Sequence, residues 1–272
     1  MSGQTEGTTL PVAVVQLQSD ADAHANAEAA GAAIAGADPA RLVLLPEYTS
    51  GWAKKLSPDL AQSPESHFTS TVRSAAAHAG RTVVVGTMEP DDDAAPRCAN
   101  VARVVGPDGR DVGSYRKVHL FDAYGITESD TLVAGPAGTE HALVFDVGPL
   151  RVGVATCYDL RFPEIFRVLA DAGANVFAVG AAWAAGEGKA DLLLTLARAR
   201  AIENTSYVLI ASQPGPGRSG HSAIIDPTGV VLAQAGADEQ RTLHAELDPQ
   251  VVRTARTRVP SLRHRRYRVV PA

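Results

Sequence analysis

Leu150-Arg-Val-Gly-Val-Ala-Thr-Cys157-Tyr-Asp-Leu-Arg-Phe-Pro-Glu164 passes from one kind of structure to another at a cysteine. Its first half is apolar and β-branched and predicts a buried strand. The strand stops at Cys157, and Phe162-Pro163-Glu164 then opens a helix that runs on through Ile165-Phe166-Arg167-Val168-Leu169. A thiol at a strand-to-helix junction is held rigidly and can face a cleft, and a helix N-terminus nearby favours thiolate. The position suits a nucleophile. A lone cysteine is otherwise more often a small buried hydrophobe, so its company matters.

That company is charged. Arg41-Leu-Val-Leu-Leu-Pro-Glu47-Tyr48 predicts another buried strand, one that ends on a carboxylate. Tyr115-Arg116-Lys117-Val118-His119-Leu120-Phe121-Asp122 sets a lysine inside an otherwise apolar stretch. Taken singly, Glu47 reads equally well as a surface acid at a strand end, and Lys117 better as part of a solvated face. Taken together, each follows or interrupts a core segment. Buried charges are costly unless paired, so Glu47 and Lys117 are expected to meet in space with Cys157 beside them.

The rest of the chain extends this pattern. Pro11–Gln18, Thr82–Met88, Asn175–Val179 and Tyr207–Ser212 predict strands, and residues 21–35, 64–80 and 190–204 predict helices. Three hairpins are expected: around Pro107-Asp108-Gly109, around Gly148-Pro149 and around Asp226-Pro227-Thr228-Gly229. Strand–helix–strand units mixed with hairpins imply a mixed sheet. No segment reads as a linker, so a flexible segment over residues 1–10 is expected to precede one α/β domain over residues 11–272.

Composition excludes several functions. The net charge of −5 favours neither nucleic acid nor an anionic membrane surface as partner. No run of about 18 apolar residues suggests a membrane span, and Met1 to Thr9 has no apolar core of signal-peptide type. The expected location is the cytoplasm. Cys98 and Cys157 are the only cysteines, too few for a disulfide framework, and Cys98 reads as a structural thiol. No CxxC or His-rich spacing suggests zinc. The basic cluster Arg263-His264-Arg265-Arg266 with Arg268 reads as a solvated tail or a subunit contact.

The three charged segments resemble the nitrilase superfamily of carbon–nitrogen hydrolases, which use a Glu-Lys-Cys triad. The matching motifs are Leu45-Pro46-Glu47, Arg116-Lys117-Val118-His119-Leu120-Phe121-Asp122 and Cys157-Tyr158-Asp159-Leu160-Arg161-Phe162-Pro163-Glu164, in family order. Glu128 matches a second glutamate that members often carry. Ala197 to Asn204, Gly220-His221-Ser222, Asp226 to Gly229 and Arg258-Val259-Pro260 extend the likeness almost to the C-terminus. The Arg-Phe-Pro-Glu continuation is similar to the branch of omega-amidases and deaminated glutathione amidases. Two features depart from that branch: a shorter segment between Phe121 and Glu128, and Ala190-Asp191 where many relatives carry His-Trp. Both bear on substrate more than on chemistry. The resemblance implies an αββα sandwich of two mixed sheets between helix layers, paired as a homodimer or higher homo-oligomer.

It also implies roles. Cys157 attacks an amide, Glu47 carries the proton, and Lys117 with the Tyr158 backbone N–H holds the oxyanion. Glu128 orients Lys117 or the substrate. Tyr48, Ala182 and Trp183 are candidates for the pocket wall. Arg161 and Glu164 are expected to form structural pairs, His221 a turn, and Arg200 with Glu203 an i,i+3 pair. The expected activity is cofactor-free, metal-free hydrolysis of a small linear amide, such as the omega-amide of a dicarboxylate, through a thioester. Alternatives are a nitrile or N-carbamoyl-amine hydrolase using the same triad, and a catalytically silent binding or regulatory relative. A redox-sensing thiol is disfavoured because no resolving cysteine is close in sequence.

Overall fold

The computed structural model describes residues 9–272, where the apolar runs of the sequence become the strands of two mixed sheets. The first half of the chain gives β1 (Leu10–Gln16), α1 (Ala23–Ala35), β2 (Leu42–Leu44), α2 (His67–Ala79), β3 (Thr82–Pro90), β4 (Cys98–Val105) and β5 (Asp111–Arg116). Three short strands follow: β6 (Asp122–Ala123), β7 (Ile126–Thr127) and β8 (Leu132–Val133). The second half gives β9 (Val144–Val147), β10 (Leu150–Thr156), α3 (Pro163–Asp171), β11 (Val176–Ala181), α4 (Lys189–Asn204) and β12 (Tyr207–Ser212). It ends with β13 (Ala223–Ile225), β14 (Val231–Gln234), β15 (Arg241–Leu247), α5 (Pro249–Arg258) and α6 (Ser261–His264).

The first sheet runs β15-β1-β2-β3-β4-β5, with β8 alongside β4, and the second runs β14-β13-β12-β11-β10-β9. Each has a parallel trio at its centre, β1-β2-β3 and β10-β11-β12, flanked by antiparallel strands. Parallel neighbours need a crossover, and helices supply it: α1 and α2 in the first sheet, α3 and α4 in the second. Local chemistry sets the helix ends. Asp22 caps α1 by accepting from the N–H groups of His24 and Ala25, and Gly80 closes α2 in the left-handed region.

Side-chain alternation builds the layers. Val12, Leu44 and Val84 of the first sheet pack between the sheets with Val152, Ala178 and Leu209 of the second. The opposite face of the first sheet packs Val43 and Val83 against Ile34, Phe68 and Val72 of α1 and α2. On the second sheet, Phe177 and Val208 pack against Phe166 and Leu169 of α3 and Leu193 of α4. The result is the αββα sandwich. Among the described residues, no helix is long and apolar enough to cross a membrane.

The structure departs from the sequence expectations in three places. Residues 1–8 of the N-terminal segment lie outside the described residues, but Leu10 opens β1 and is fully buried. β15, an antiparallel partner of β1 along seven residues, and α5 had no counterpart in the sequence patterns. β15 is an edge strand that buries only Leu243 and Leu247, so its alternation is weak. The strand predicted to end on Glu47 stops at Leu44, and Glu47 lies on the segment that leaves the sheet.

That segment passes between the ends of both sheets. A Cβ on Gly86 of β3 would stand 2.5 Å from Glu47 Cα and 2.5 Å from the Pro46 carbonyl. A Cβ on Gly180 of β11 would stand 2.9 Å from Glu47 N. Only glycine at these positions lets the Glu47 backbone run so close to two strands. Gly86→Ala should therefore destabilise the fold by about 1–3 kcal/mol in urea unfolding and displace Glu47. Activity should fall further than stability explains at permissive temperature. Wild-type stability and turnover in Gly86→Ala would refute this account.

Candidate active site

Three chain segments, each leaving a strand, deliver the charged groups. Glu47 follows β2, Lys117 follows β5, and Cys157 follows β10. Glu128 starts a short 3-10 turn just after β7. Lys117 and Glu47 are each 1% exposed, so the solvated alternatives for both are overturned. The Lys117 Nζ donates to Glu47 Oε1 at 2.9 Å and to Glu128 Oε2 and Oε1 at 2.8 and 3.1 Å.

One ammonium among two carboxylates leaves a negative charge in a buried place. Neutral donors offset it. Glu47 Oε1 accepts from the Asn100 amide at 2.8 Å, and Glu47 Oε2 from the Ala182 N–H at 2.8 Å. Glu128 accepts from the Tyr48 hydroxyl at 2.8 Å and from the Phe121 N–H at 2.7 Å. Gln213 holds the backbone of Glu47 through its carbonyl at 2.6 Å. Burial works to lower the Lys117 pKa, but Glu128 and then Glu47 outweigh it and hold the pKa well above its usual value. The ammonium's bonds go to one oxygen of Glu47 and to both oxygens of Glu128, and its side chain is fully buried.

Cys157 sits at φ +45°, in the left-handed region, at the start of a 3-10 turn over Cys157–Arg161. Tyr48, the residue after Glu47, is also left-handed at φ +57°. A non-glycine residue held there costs about 1 kcal/mol or more, and such strain gathers at functional sites. The helix α3 begins only at Pro163, beyond that turn. Burial first, and then the Glu47 carboxylate, push the Cys157 thiol well above its usual value, against the thiolate that a nearby helix N-terminus would favour. The Tyr158 N–H lies in the first turn of the 3-10 segment, where no carbonyl of that turn can accept it.

A fully buried carboxylate ties these segments together. Asp159 accepts from the Thr156 N–H at 2.8 Å, from the Tyr115 hydroxyl at 2.8 Å and from the His119 N–H at 3.3 Å, and bonds His119 Nδ1 at 2.7 Å. Tyr115 and His119 stand two residues either side of Lys117. Asp159 therefore fixes the cysteine turn against both flanks of the lysine. Arg200 braces the same turn by donating to the Leu160 carbonyl at 3.0 Å through Nε, and pairs with Glu203 at 3.1 Å as its spacing predicted.

The candidate wall residues separate. Tyr48 is buried and engaged with Glu128, and Ala182 contributes its backbone N–H to Glu47. Trp183 packs in the same apolar cluster as Cys157. Arg161 and Glu164 do not pair, against expectation: neither makes an ion pair among the described residues. Arg161 instead lies over the rings of Tyr158 and Trp183, 5.9 and 5.8 Å from their centroids. His221 serves a turn, with Nδ1 on the Ser219 carbonyl at 2.5 Å. Cys98 is free and buried. In the basic tail, Arg265 pairs with Asp171. Among the described residues, no group of three or more His, Cys, Asp and Glu side chains could hold a metal ion.

Sequence patterns missed Asn100, Gln213 and the latch role of Asp159. Asn100 and Gln213 lie far from the motifs in the chain and carried no local signal. Asp159 was visible only as part of a motif.

Comparison with known proteins agrees with this geometry. The carbon–nitrogen hydrolase family matches residues 11–257. A deaminated glutathione amidase of Synechocystis is 40% identical over 183 residues, covering 63% of this chain and 65% of that protein. An omega-amidase of Xenopus laevis is 34% identical over 238 residues, covering 84% of this chain and 83% of that protein. The crystal structure of Saccharomyces cerevisiae Nit3, a member of branch 10 of the nitrilase superfamily, superposes with a TM-score of 0.82 at 29% identity, covering 98% of this chain and 100% of that one. With the family pattern spanning nearly the whole sequence and the fold shared end to end, this chain belongs to the carbon–nitrogen hydrolases of the nitrilase superfamily.

Proposed function

We propose that Cys157, Glu47, Lys117 and Glu128 hydrolyse the omega-amide of a small dicarboxylate through a thioester. The observation that carries the chemistry is the buried Glu47–Lys117–Glu128 chain beside a cysteine held in the left-handed region. Cys157 Sγ attacks the amide carbon as its proton passes to Glu47. The oxyanion rests against the Lys117 ammonium and the N–H of Tyr158. Glu47 returns the proton to the amide nitrogen, the C–N bond breaks, and ammonia or an amine leaves. Water then gives a proton to Glu47 and attacks the thioester, restoring the thiol. Glu128 positions Lys117 throughout and keeps it charged.

The substrate class rests on Arg161. It lies over the ring of the residue after Cys157 and makes no ion pair among the described residues. A guanidinium so placed suits a substrate carboxylate remote from the scissile bond. The relatives named for deaminated glutathione and omega-amides support the same class.

Pairing into a homodimer belongs to the same proposal. Ile202 of α4, Val230 and Leu232 are exposed apolar residues, and Ile202 lies against Gly229. A second copy would cover them. The cytoplasm suits two free cysteines, one of them the nucleophile.

Cys157→Ala should abolish turnover with the fold intact, and Glu47→Gln or Lys117→Met should each lower kcat by about 100-fold or more. Near-normal rates in any of the three would assign the chemistry elsewhere.

The raised thiol predicts a pH response. The thiolate absorbance that distinguishes wild type from Cys157→Ala should be absent at neutral pH and grow only above the ordinary thiol value of 9.0. The sign is fixed: a pKa raised by burial keeps the proton on until higher pH. A step between about pH 5 and 7 would mean a preformed thiolate and a different route for the proton.

Substrate choice is read from kcat/KM for a carboxylate-bearing amide over that for its uncharged analogue. The ratio should be well above one in the wild type and near one in Arg161→Met. A wild-type ratio near one, or a preference for nitriles or carbamoyl amines, would reject the omega-amide assignment.

A further inference from the structure

Gln213 reaches Glu47 by two routes. Its side-chain amide donates to the Glu47 carbonyl at 2.6 Å. Its backbone N–H donates to the Ala181 carbonyl at 2.9 Å, at the end of β11, and the next residue, Ala182, gives its N–H to Glu47 Oε2. One residue therefore holds both the backbone of Glu47 and the strand end that supplies a donor to its carboxylate. A glutamine amide has a donor end and an acceptor end, and only one orientation serves here. Turned over, it would set an oxygen against the Glu47 carbonyl.

Groups that can only donate fix that orientation. Gln213 Oε1 accepts from the Ser19 N–H at 3.1 Å and from Arg218 Nη1. A guanidinium has no acceptor, so the amide oxygen must face it and the NH2 must face Glu47. Arg218 Nη1 also donates to the Ser19 carbonyl at 3.1 Å, which holds the β1–α1 loop in the same place. Arg218 Cζ lies 5.0 Å from the centre of the Trp52 ring. That ring meets the ring of Tyr48, the donor to Glu128, at 5.7 Å. The segment from Glu47 to Trp52 is thus gripped at both ends from one guanidinium.

Arg218 is a costly way to hold a loop. It is 5% exposed, makes no ion pair among the described residues, and has no hydrogen-bond partner for its Nε. A buried cation without an acid is expensive, and an apolar side chain or a matched pair would serve stability better. Burial lowers its pKa to about 10, so it is still charged at neutral pH.

We propose that Arg218 is a positioning residue for Glu47: it orients the Gln213 amide, and through it the backbone and the carboxylate of the proton carrier. This rests on the role given to Glu47 in the proposed function.

The test reads kcat, KM and melting temperature for the omega-amide reaction in four variants. Gln213→Glu is the sharpest of them. Its carboxylate can still accept from Ser19 and Arg218, so the fold is kept, but it turns an oxygen onto the Glu47 carbonyl. It should lower kcat by about 10–100-fold, leave KM within about two-fold and keep the wild-type melting temperature. Arg218→Met should lower kcat in the same way, and Arg218→Lys, which keeps a charged donor, should restore most of it. Placed in Glu47→Gln, where the proton carrier is already lost, Gln213→Glu should cost less than about two-fold more. Near-normal kcat in Gln213→Glu, or a loss that multiplies in full onto that of Glu47→Gln, would overturn the positioning role while Glu47 remains the proton carrier. Normal turnover in Glu47→Gln alone would overturn both.

Discussion

A lysine ammonium with almost no solvent exposure governs this structure. Burying a lone ammonium is costly, by several kcal/mol even after relaxation, and Lys117 is tolerable only because two carboxylates meet it. Those carboxylates need donors in turn, and Asn100, Ala182, Tyr48 and Phe121 provide them. The donors come from β4, from the end of β11, from the segment after β2 and from the segment after Lys117. One charge therefore dictates where both sheets end relative to each other. A buried ion network of this kind adds little net stability, but removing one partner strands the others, so it specifies one arrangement.

The nucleophile is placed by a different device. Cys157 is held in a backbone conformation that a non-glycine residue avoids. The strain persists because Asp159 bonds the residue before Cys157 on one side and the flanks of Lys117 on the other. Arg200 adds a clasp on Leu160 from α4. Thiol and ammonium thus keep a fixed relation without touching each other through a mobile link. Preorganisation of this kind lets the oxyanion meet donors already aimed at it. The same burial pushes the Cys157 thiol up, and in the proposed mechanism this gives Glu47 the task of carrying the proton during attack.

Chemistry and selectivity are carried on separate layers. The inner layer is charged, buried and satisfied within the protein. The outer layer is aromatic and partly exposed, and Arg161 and Lys189 lie over its rings with no ion pair among the described residues. An amide carbon has no charge to grip, so orientation must come from groups remote from it. In the proposed function, Arg161 holds such a group from the end of the cysteine turn. The hairpin between Lys117 and Glu128 belongs to this outer layer, although its ends carry two members of the inner one.

The sequence alone pointed to the candidate reaction-bearing residues and, through its family resemblance, to the layer order. Glu47, Lys117 and Cys157 each interrupt or end an apolar run, and a charge in a core segment has few explanations besides a partner. Most strands and helices were legible for the same reason: β12 is a continuous apolar run bounded by polar residues, and Gly80 ends α2 by its conformation. Tertiary structure decided what depends on distance through space. β15 was hidden because an edge strand that buries two residues leaves little periodicity. Asn100 and Gln213 contact Glu47 across 53 and 166 residues of chain, a separation that no local pattern encodes. The fate of Arg161 was likewise undecidable in one dimension. Its spacing from Glu164 permits a pair, but the fold turns its guanidinium onto two rings. The direction in which the Cys157 thiol is pushed was likewise set by its surroundings, because burial and a neighbouring carboxylate raise it and α3 begins only at Pro163.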